Sequence, residues 1–340
     1  MTVGAPGLSV LAHGSERLPE LTPGRLLTTW SVEPLLLLAL LMAAGLYLLG
    51  VRRLRRRGVS WGTGRCVLWL LGLLLVFVAT SSAVGAYDGT LFTVHAVQHL
   101  LLQMLSPVPL ALAAPITLAL RALPPNGRKA TLAVLHSAPA RLLTRPLVAF
   151  AVFVVSPFAL YYSPLYELTL RSDMAHNLSH VHFVASGFLL FSVLLSLDPL
   201  PNRVPYVFRF MMVIALGPMH VLLGVPVMMG SSLFAADYYQ ELGRTWGPTI
   251  LADQQFGGGL LWVFGDVVTV AFLAGMYAQW LKSDARDAKR VDRHLDRLYG
   301  DGPTMPAPWT ATTSPGDVPD PRPARQANSG RRASTEQRHG

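Results

Sequence analysis

Two pairs of histidines share one spacing in this chain and are the residues best suited to bind an ion. His95 and His99 are four residues apart, and so are His176 and His180. Residues i and i+4 lie on one face of an α-helix, so each pair presents both imidazoles in the same direction. Imidazole suits copper, zinc, iron and nickel ions. The two pairs therefore predict a metal site where their helices lie side by side.

Sulphur-containing residues near these histidines favour copper among the possible ions. The thioether of methionine selects soft Cu(I), and the methionines near the histidines are Met104, Met174, Met219, Met228 and Met229. No oxygen-rich cluster of the kind that binds calcium or magnesium accompanies the histidines. A fifth histidine follows Met219 directly. We therefore predict a copper site with the ligands His95, His99, His176, His180 and His220.

One carboxylate lies inside an apolar stretch of the chain. Asp266 shares a helical face with Trp262 and Thr269. Ionisable residues are costly within lipid and commonly mark a functional site. We expect Asp266, together with Gln103 and Met104, to support the ligands from outside or to relay a proton. A buried contact between helices is the alternative for Asp266.

These residues lie in seven long apolar stretches. The chain of 340 residues is 51% hydrophobic and only 14% charged, whereas about 25% charge is usual in soluble domains. About 20 apolar residues cross the hydrocarbon core of a membrane as a helix, and a helix satisfies its own backbone there. The sequence therefore predicts an all-α, polytopic membrane bundle. Its seven transmembrane helices fall within 35–50, 67–85, 91–120, 147–162, 176–197, 208–229 and 258–281.

The third stretch is too long for one straight span. Thirty helical residues would extend about 45 Å, well beyond the hydrocarbon core of about 30 Å. Pro107, Pro109 and Pro115 interrupt it, and each proline removes a backbone donor. We therefore expect a broken or kinked helix here.

The basic residues predict the orientation of the bundle. Of the 28 lysines and arginines, 24 lie in the loops after the first, third and fifth stretches or in the tail after the seventh. Cytoplasmic loops carry such an excess. The N-terminus is therefore expected outside and the C-terminus in the cytoplasm, with the histidines in the outer half of the membrane. Because topology accounts for the charge, nucleic-acid binding is not expected.

Three regions follow from this pattern. Residues 1–30 are expected to form an outer tail, 31–281 the membrane domain, and 282–340 a cytoplasmic helical extension that becomes disordered from residue 300. Walker, G-x-S-x-G, H-E-x-x-H and dinucleotide-binding motifs are all missing from the sequence. We therefore predict that the protein is not an enzyme.

Several motifs, in order along the chain, resemble the CtaG family. They are His95-Ala-Val-Gln-His99, Ser163-Pro-Leu-Tyr-Glu167, His176-Asn-Leu-Ser-His180, Asp198-Pro-Leu-Pro201, Asp253-Gln-Gln-Phe-Gly-Gly-Gly259 and Gly265-Asp266. The resemblance spans about residues 35–281. It implies a seven-helix, multi-pass protein of the bacterial cell membrane that assists cytochrome c oxidase assembly at the copper-delivery step. The implied partners are an oxidase subunit and the lipid bilayer.

Two other functions are compatible with the same residues. Histidines on facing helices can hold a haem axially, which would make the chain a membrane redox protein. Alternatively, Asp266 and the histidines would relay metal ions or protons in a transporter.

Overall fold

The regular structure of the described residues is entirely helical. The computed structural model describes residues 18–202 and 204–299, and no strand occurs within these ranges. Six helices are long and apolar enough to cross a membrane, and a bent pair makes a seventh span if it is counted as one. The predicted fold class is confirmed, whereas the orientation of the termini stays a prediction. Residues 1–17 of the predicted outer tail, and the predicted disorder from residue 300, lie outside the described residues.

The helices follow one another with short connections. In chain order they are α1 (Pro23–Thr28), α2 (Pro34–Arg56), α3 (Thr63–Ser81), α4 (Ala83–Tyr87), α5 (Phe92–Leu100), a π-helical turn (Leu101–Leu105), α6 (Pro107–Leu112), α7 (Pro115–Ala122), α8 (Pro125–Leu135), α9 (Ala138–Leu143), α10 (Pro146–Tyr161), α11 (Leu165–Arg171), α12 (Asp173–Leu195), α13 (Tyr206–Met229), α14 (Ala236–Leu242) and α15 (Ile250–Tyr299). Contacts divide the chain into one unit up to Gln279 and a second from Trp280.

The third span is broken, as its length and prolines predict. The π-helical turn follows α5, Pro107 begins α6, and Pro115 begins α7 after Ala114, whose φ of 51° is left-handed. Proline has no backbone donor, so carbonyls near each break need other partners. The hydroxyl of Tyr47 donates to the carbonyl of Ala113 at 2.9 Å. The break therefore keeps its buried backbone partly satisfied.

The fourth span differs from the single helix predicted at 147–162. Helix α10 has 16 residues, which extend about 24 Å and fall short of the hydrocarbon core. The chain then bends by 72° into α11. This bend brings Tyr161 and Tyr166 together, with ring centroids 5.4 Å apart. Both rings belong to the surroundings of the histidines.

Glycines permit the close helix contacts that hold the centre of the bundle. A β-carbon on Gly187 of α12 would lie 2.1 Å from the carbonyl oxygen of Gln103 in the π-helical turn. A β-carbon on Gly224 of α13 would lie 2.6 Å from the carbonyl oxygen of Gly258 in α15. Only glycine allows backbones this close. The first contact holds α12 against the turn that follows α5, and these two helices carry the paired histidines.

Candidate metal centre

The two histidine pairs meet between α5 and the first turns of α12. His95, His99, His176 and His180 are all buried, with exposed fractions of 0%, 3%, 4% and 8%. Ring centroids are 4.2 Å apart within the first pair and 4.3 Å apart within the second. The rings of His95 and His176 lie 5.9 Å apart across the two helices. The structure thus brings all four together, and their role as ligands stays a prediction.

A buried carboxylate joins this group from the loop before α5. Asp88 is 1% exposed, and its Oδ2 lies 2.9 Å from Nε2 of His176. Gln98 donates to the same oxygen at 2.6 Å and, through its own Oε1, contacts Nε2 of His180 at 2.9 Å. One potential ligand atom each from Asp88, His176 and His180 lies within 4.8 Å of the others. The three residues have the composition of a metal site.

The charge of Asp88 is stabilised by its neighbours. Burial raises the pKa of its carboxyl, but the charge of His176 and the hydrogen bond to that residue lower the pKa by more. The net pKa lies below the ordinary value, so the group is an anion at neutral pH. Because this stabilisation comes from a charged His176, an ion bound by His176 would have to displace its proton.

Asp88 and Gln98 are the functional candidates that the sequence analysis missed. Asp88 precedes the third apolar stretch, and Gln98 lies between the paired histidines. The available signal was an acidic residue at the same end of a span as His95. Spacing alone does not reveal that a loop carboxylate turns inward.

Three nitrogen atoms in the cluster lack hydrogen-bond partners. Among the described residues, both ring nitrogens of His95 and Nε2 of His99 are buried without a partner. A neutral imidazole carries one donor and one acceptor, and each buried unpaired group costs about 1–3 kcal/mol. The other nitrogen of His99 contacts the hydroxyl of Tyr161 at 3.1 Å. A bound cation would give the unpaired nitrogens a partner.

His220 lies beside a small cavity and not in the ring cluster. The cavity has a volume of about 30 Å³, which is enough for one water molecule or ion. Its lining includes His99, Gln103, Met104, Met219 and His220. The structure therefore places four of the predicted ligands in one cluster, with the fifth across a cavity from His99.

Asp266 lies next to His220, as a supporting residue would. Its Oδ1 is 3.5 Å from Nδ1 of His220, longer than an ordinary hydrogen bond. Trp262 donates to its other oxygen at 3.1 Å. The carboxylate is thus held by its own helix and faces His220 without a close bond.

Gln103 and Met104 border the cavity but do not hydrogen-bond to a histidine. The amide of Gln103 donates to the carbonyl of Phe153 at 2.8 Å, and the Met104 side chain is buried. Two other methionines near the histidines in sequence point away, since Met174 and Met229 are 81% and 75% exposed. Neither of these is placed as a ligand, because each lies at a helix terminus on an outer surface.

The segment between α13 and α15 covers the cluster through aromatic side chains. The hydroxyl of Tyr239 in α14 lies 2.6 Å from that of Tyr166, and the Tyr166 ring is 4.9 Å from His95. Beyond this segment, Asp253 in the first turn of α15 accepts from the backbone N–H of Phe92 at 2.8 Å and so caps α5. These contacts shield the histidines and fix the start of the helix that carries two of them.

Most of the chain matches one protein family. The model of the cytochrome c oxidase caa3 assembly factor family (Caa3_CtaG) matches residues 45–283, which include every candidate ligand. The chain belongs to this family. The resemblance inferred from the motifs is thereby confirmed.

Mycobacterial proteins are similar to this member of the family. Uncharacterized proteins of Mycobacterium bovis and Mycobacterium tuberculosis are 36% identical over 287 residues, and one of Mycobacterium leprae is 34% identical over 285 residues. Each match covers 82% of this chain but only 43% of the relative. The chain thus spans less than half the length of these relatives. No solved structure matches it.

Proposed function

We propose that this protein binds copper in the Asp88–histidine cluster and passes it to a subunit of cytochrome c oxidase. Membership of the oxidase assembly family supports the assembly role. The observation that carries the copper proposal is a buried carboxylate beside four buried histidines, one of which has two unpaired nitrogens. Copper is here a cargo that the protein receives and releases, and no bond of a substrate is made or broken.

The spacing of the rings supports an ion shared between helices. Two imidazoles that bind one ion at about 2 Å place their centroids roughly 5–6.5 Å apart. The separation of His95 and His176, 5.9 Å, falls in this range. Rings within each pair are closer than that and contact one another directly. By this criterion the shared ion would bind His95 from α5 and His176 from α12, with Asp88 beside them, whereas His180 contacts His176 and is held by Gln98.

The cavity beside the cluster provides a second position with softer ligands. Met104 and Met219 border it together with His99 and His220. Thioether sulphur favours Cu(I) over harder ions. Copper that is delivered to another protein must also be released. Two neighbouring positions with different ligands, the cluster and this cavity, favour transfer of the ion over its permanent retention.

Available space favours an ion over a haem. Pockets for cofactor-sized ligands measure about 300–1,000 Å³, whereas the cavity beside His99 and His220 holds about 30 Å³. Around the histidines, the rings of Phe183 and Tyr166 lie 4.3 Å from His99 and 4.9 Å from His95. A stoichiometric Soret band in the purified protein would favour haem instead.

Copper stoichiometry of the purified full chain tests the binding step. The protein in detergent is titrated with Cu(I) under argon and, separately, with Cu(II), and bound copper is measured by mass spectrometry. We expect H176A/H180A to lose most of the copper that the parent binds. H182A is the matched control, because His182 lies on the same helix but is exposed and contacts Ser156 at 2.7 Å.

Two results would contradict the binding proposal. One is parental copper content in H176A/H180A. The other is an equal loss in H182A, which would indicate non-specific binding by histidine. Delivery is tested separately by measuring copper in oxidase purified from cells that carry each variant as their only copy. If oxidase from cells with H176A/H180A contains its full copper, copper binding by this cluster is not needed for delivery to the oxidase.

A further inference from the structure

A large cavity opens at the other end of α12 from the histidine cluster. Its volume is about 1470 Å³. It lies where α2, α7 and α12 end and where α8 and α13 begin, with Ser196 and Asp198 among its lining residues. Since α12 has 23 residues, its ends are about 34 Å apart. The cavity is therefore separate from the proposed copper site.

Five cations line this cavity without a neutralising partner. They are Arg57, Arg121, Arg128, Lys129 and Arg209. None of them forms an ion pair with a described carboxylate. Among the described lining residues Asp198 alone is acidic, and it is engaged by Thr117, whose backbone N–H and hydroxyl donate to it at 2.7 and 2.6 Å. Clustered like charges repel one another, so the cavity favours an anion.

One of these cations, Arg209, has a buried nitrogen atom without a hydrogen-bond partner in the described part of the chain. Its guanidinium lies 5.2 Å from the ring centre of Tyr206, and Nη1 donates to the carbonyl of Leu194 at 3.1 Å. Its Nε is buried and has no hydrogen-bond partner among the described residues. No described carboxylate balances the Arg209 charge beside the cavity.

The remaining lining is apolar and indicates what kind of anion fits. Leu54, Val59, Leu120, Leu123 and Leu132 lie among the cations. A free phosphate would leave this apolar surface and most of the volume unfilled. A phospholipid carries a phosphate next to hydrocarbon, and basic pockets between membrane helices bind anionic headgroups.

We propose that this cavity binds the headgroup and upper acyl chains of one anionic phospholipid. The phosphate would lie among Arg121, Arg128 and Lys129, with the chains along the leucines. Such a lipid would tie the α7–α8 connection to the start of α13, and no ion pair joins these two segments among the described residues.

Lipid titration of the purified full chain tests this site. The probes are dioctanoyl phosphatidylglycerol, dioctanoyl phosphatidylcholine and inorganic phosphate, with binding followed by native mass spectrometry and by thermal unfolding. We expect the phosphatidylglycerol alone to bind and to raise the unfolding temperature. In R128Q/K129Q its Kd is expected to rise about 25-fold, because each basic residue near the headgroup contributes about fivefold.

A second double variant that loses the same charge distinguishes lipid binding in the cavity from general electrostatic attraction to the protein. R53Q/R141Q removes two exposed cations of neighbouring segments that do not line the cavity, and it is expected to bind within twofold of the parent. Equal weakening in both double variants, no weakening in R128Q/K129Q, or equal stabilisation by inorganic phosphate would each overturn the proposal. If R128Q/K129Q does not fold, R57Q provides the same test with an expected loss of about fivefold. Copper binding is expected to be unchanged in all of these variants.

Discussion

Asp88 is the residue that distinguishes the histidine cluster from an ordinary buried hydrogen-bond network. Its carboxylate is paired with no described lysine or arginine and is held instead by His176 and Gln98. A network with a purely structural role would be expected to satisfy all of its members. Here both nitrogens of His95 are left without partners. That combination of an anion with unpaired imidazole favours a cation site.

Replacing Asp88 tests its role as a ligand. D88N keeps the shape of the side chain but removes the anionic oxygen, so we expect copper affinity to fall at least tenfold. The variant should still fold, because an amide oxygen can accept from Gln98. Competition with a chromophoric copper chelator measures the affinity, and circular dichroism measures the helical content.

A carboxylate outside the cluster provides the control for this charge change. Glu167 is partly exposed and pairs with Arg171 at 2.8 Å. Exposed ion pairs contribute little to stability, so E167Q is expected to bind copper like the parent. Parental affinity in D88N would exclude Asp88 as a ligand.

At the scale of elements, the contact between α12 and the π-helical turn decides whether the histidine pairs face one another. Gly187 lies against the backbone of Gln103, and the same helix carries His176 and His180 two turns or more towards its start. The π-helical turn directly follows the helix that carries His95 and His99. Separating these backbones would move one pair away from the other.

Substitution of Gly187 tests that contact. A β-carbon would lie 2.1 Å from the carbonyl oxygen of Gln103, and overpacking of this kind costs about 1–3 kcal/mol. We expect G187A to lower both the unfolding temperature in detergent and the copper affinity. G45A is the control in α2, since nothing lies within 4 Å of its β-carbon. Its unfolding temperature should be unchanged or slightly raised, and a parental value in G187A would refute the close contact.

The structure of the fourth span could be predicted from the sequence only in part. The apolar length of 147–162 indicated a span, and that much is a local property. The 72° turn into α11 falls at Ser163-Pro164, and a proline just before a helix is a local signal for such a break. Tyr161 and Tyr166, on either side of it, pack against Phe92 at 5.4 and 5.7 Å. Those contacts come from a helix some 70 residues earlier. No local pattern predicts them.

For the whole molecule, the distribution of basic residues still predicts the orientation in the membrane. In a C66S background, which removes the natural thiol, single cysteines report the side of each loop. We expect E241C, in α14, to react with an impermeant maleimide in intact cells. R128C, in α8, should react only after permeabilisation, because loops rich in lysine and arginine remain in the cytoplasm.

The C66S variant without an added cysteine is the control for this labelling experiment. C66S alone should remain unlabelled, and both cysteine positions are at exposed residues. Reaction of R128C in intact cells, together with protection of E241C, would reverse the orientation. The histidine cluster would then lie near the cytoplasmic side, and copper would have to be received from there.

The sequence by itself determined the helical membrane class, most of the spans, the shared face of each histidine pair and the family. These features depend on apolar length, residue spacing and ordered motifs, which are properties of short segments. Only the tertiary structure showed that Asp88 and Gln98 join His176 and His180, and that His220 is set apart beside a cavity. Those relations depend on how closely separate helices approach one another. That approach is decided by glycine contacts, proline breaks and aromatic packing between segments far apart in the chain.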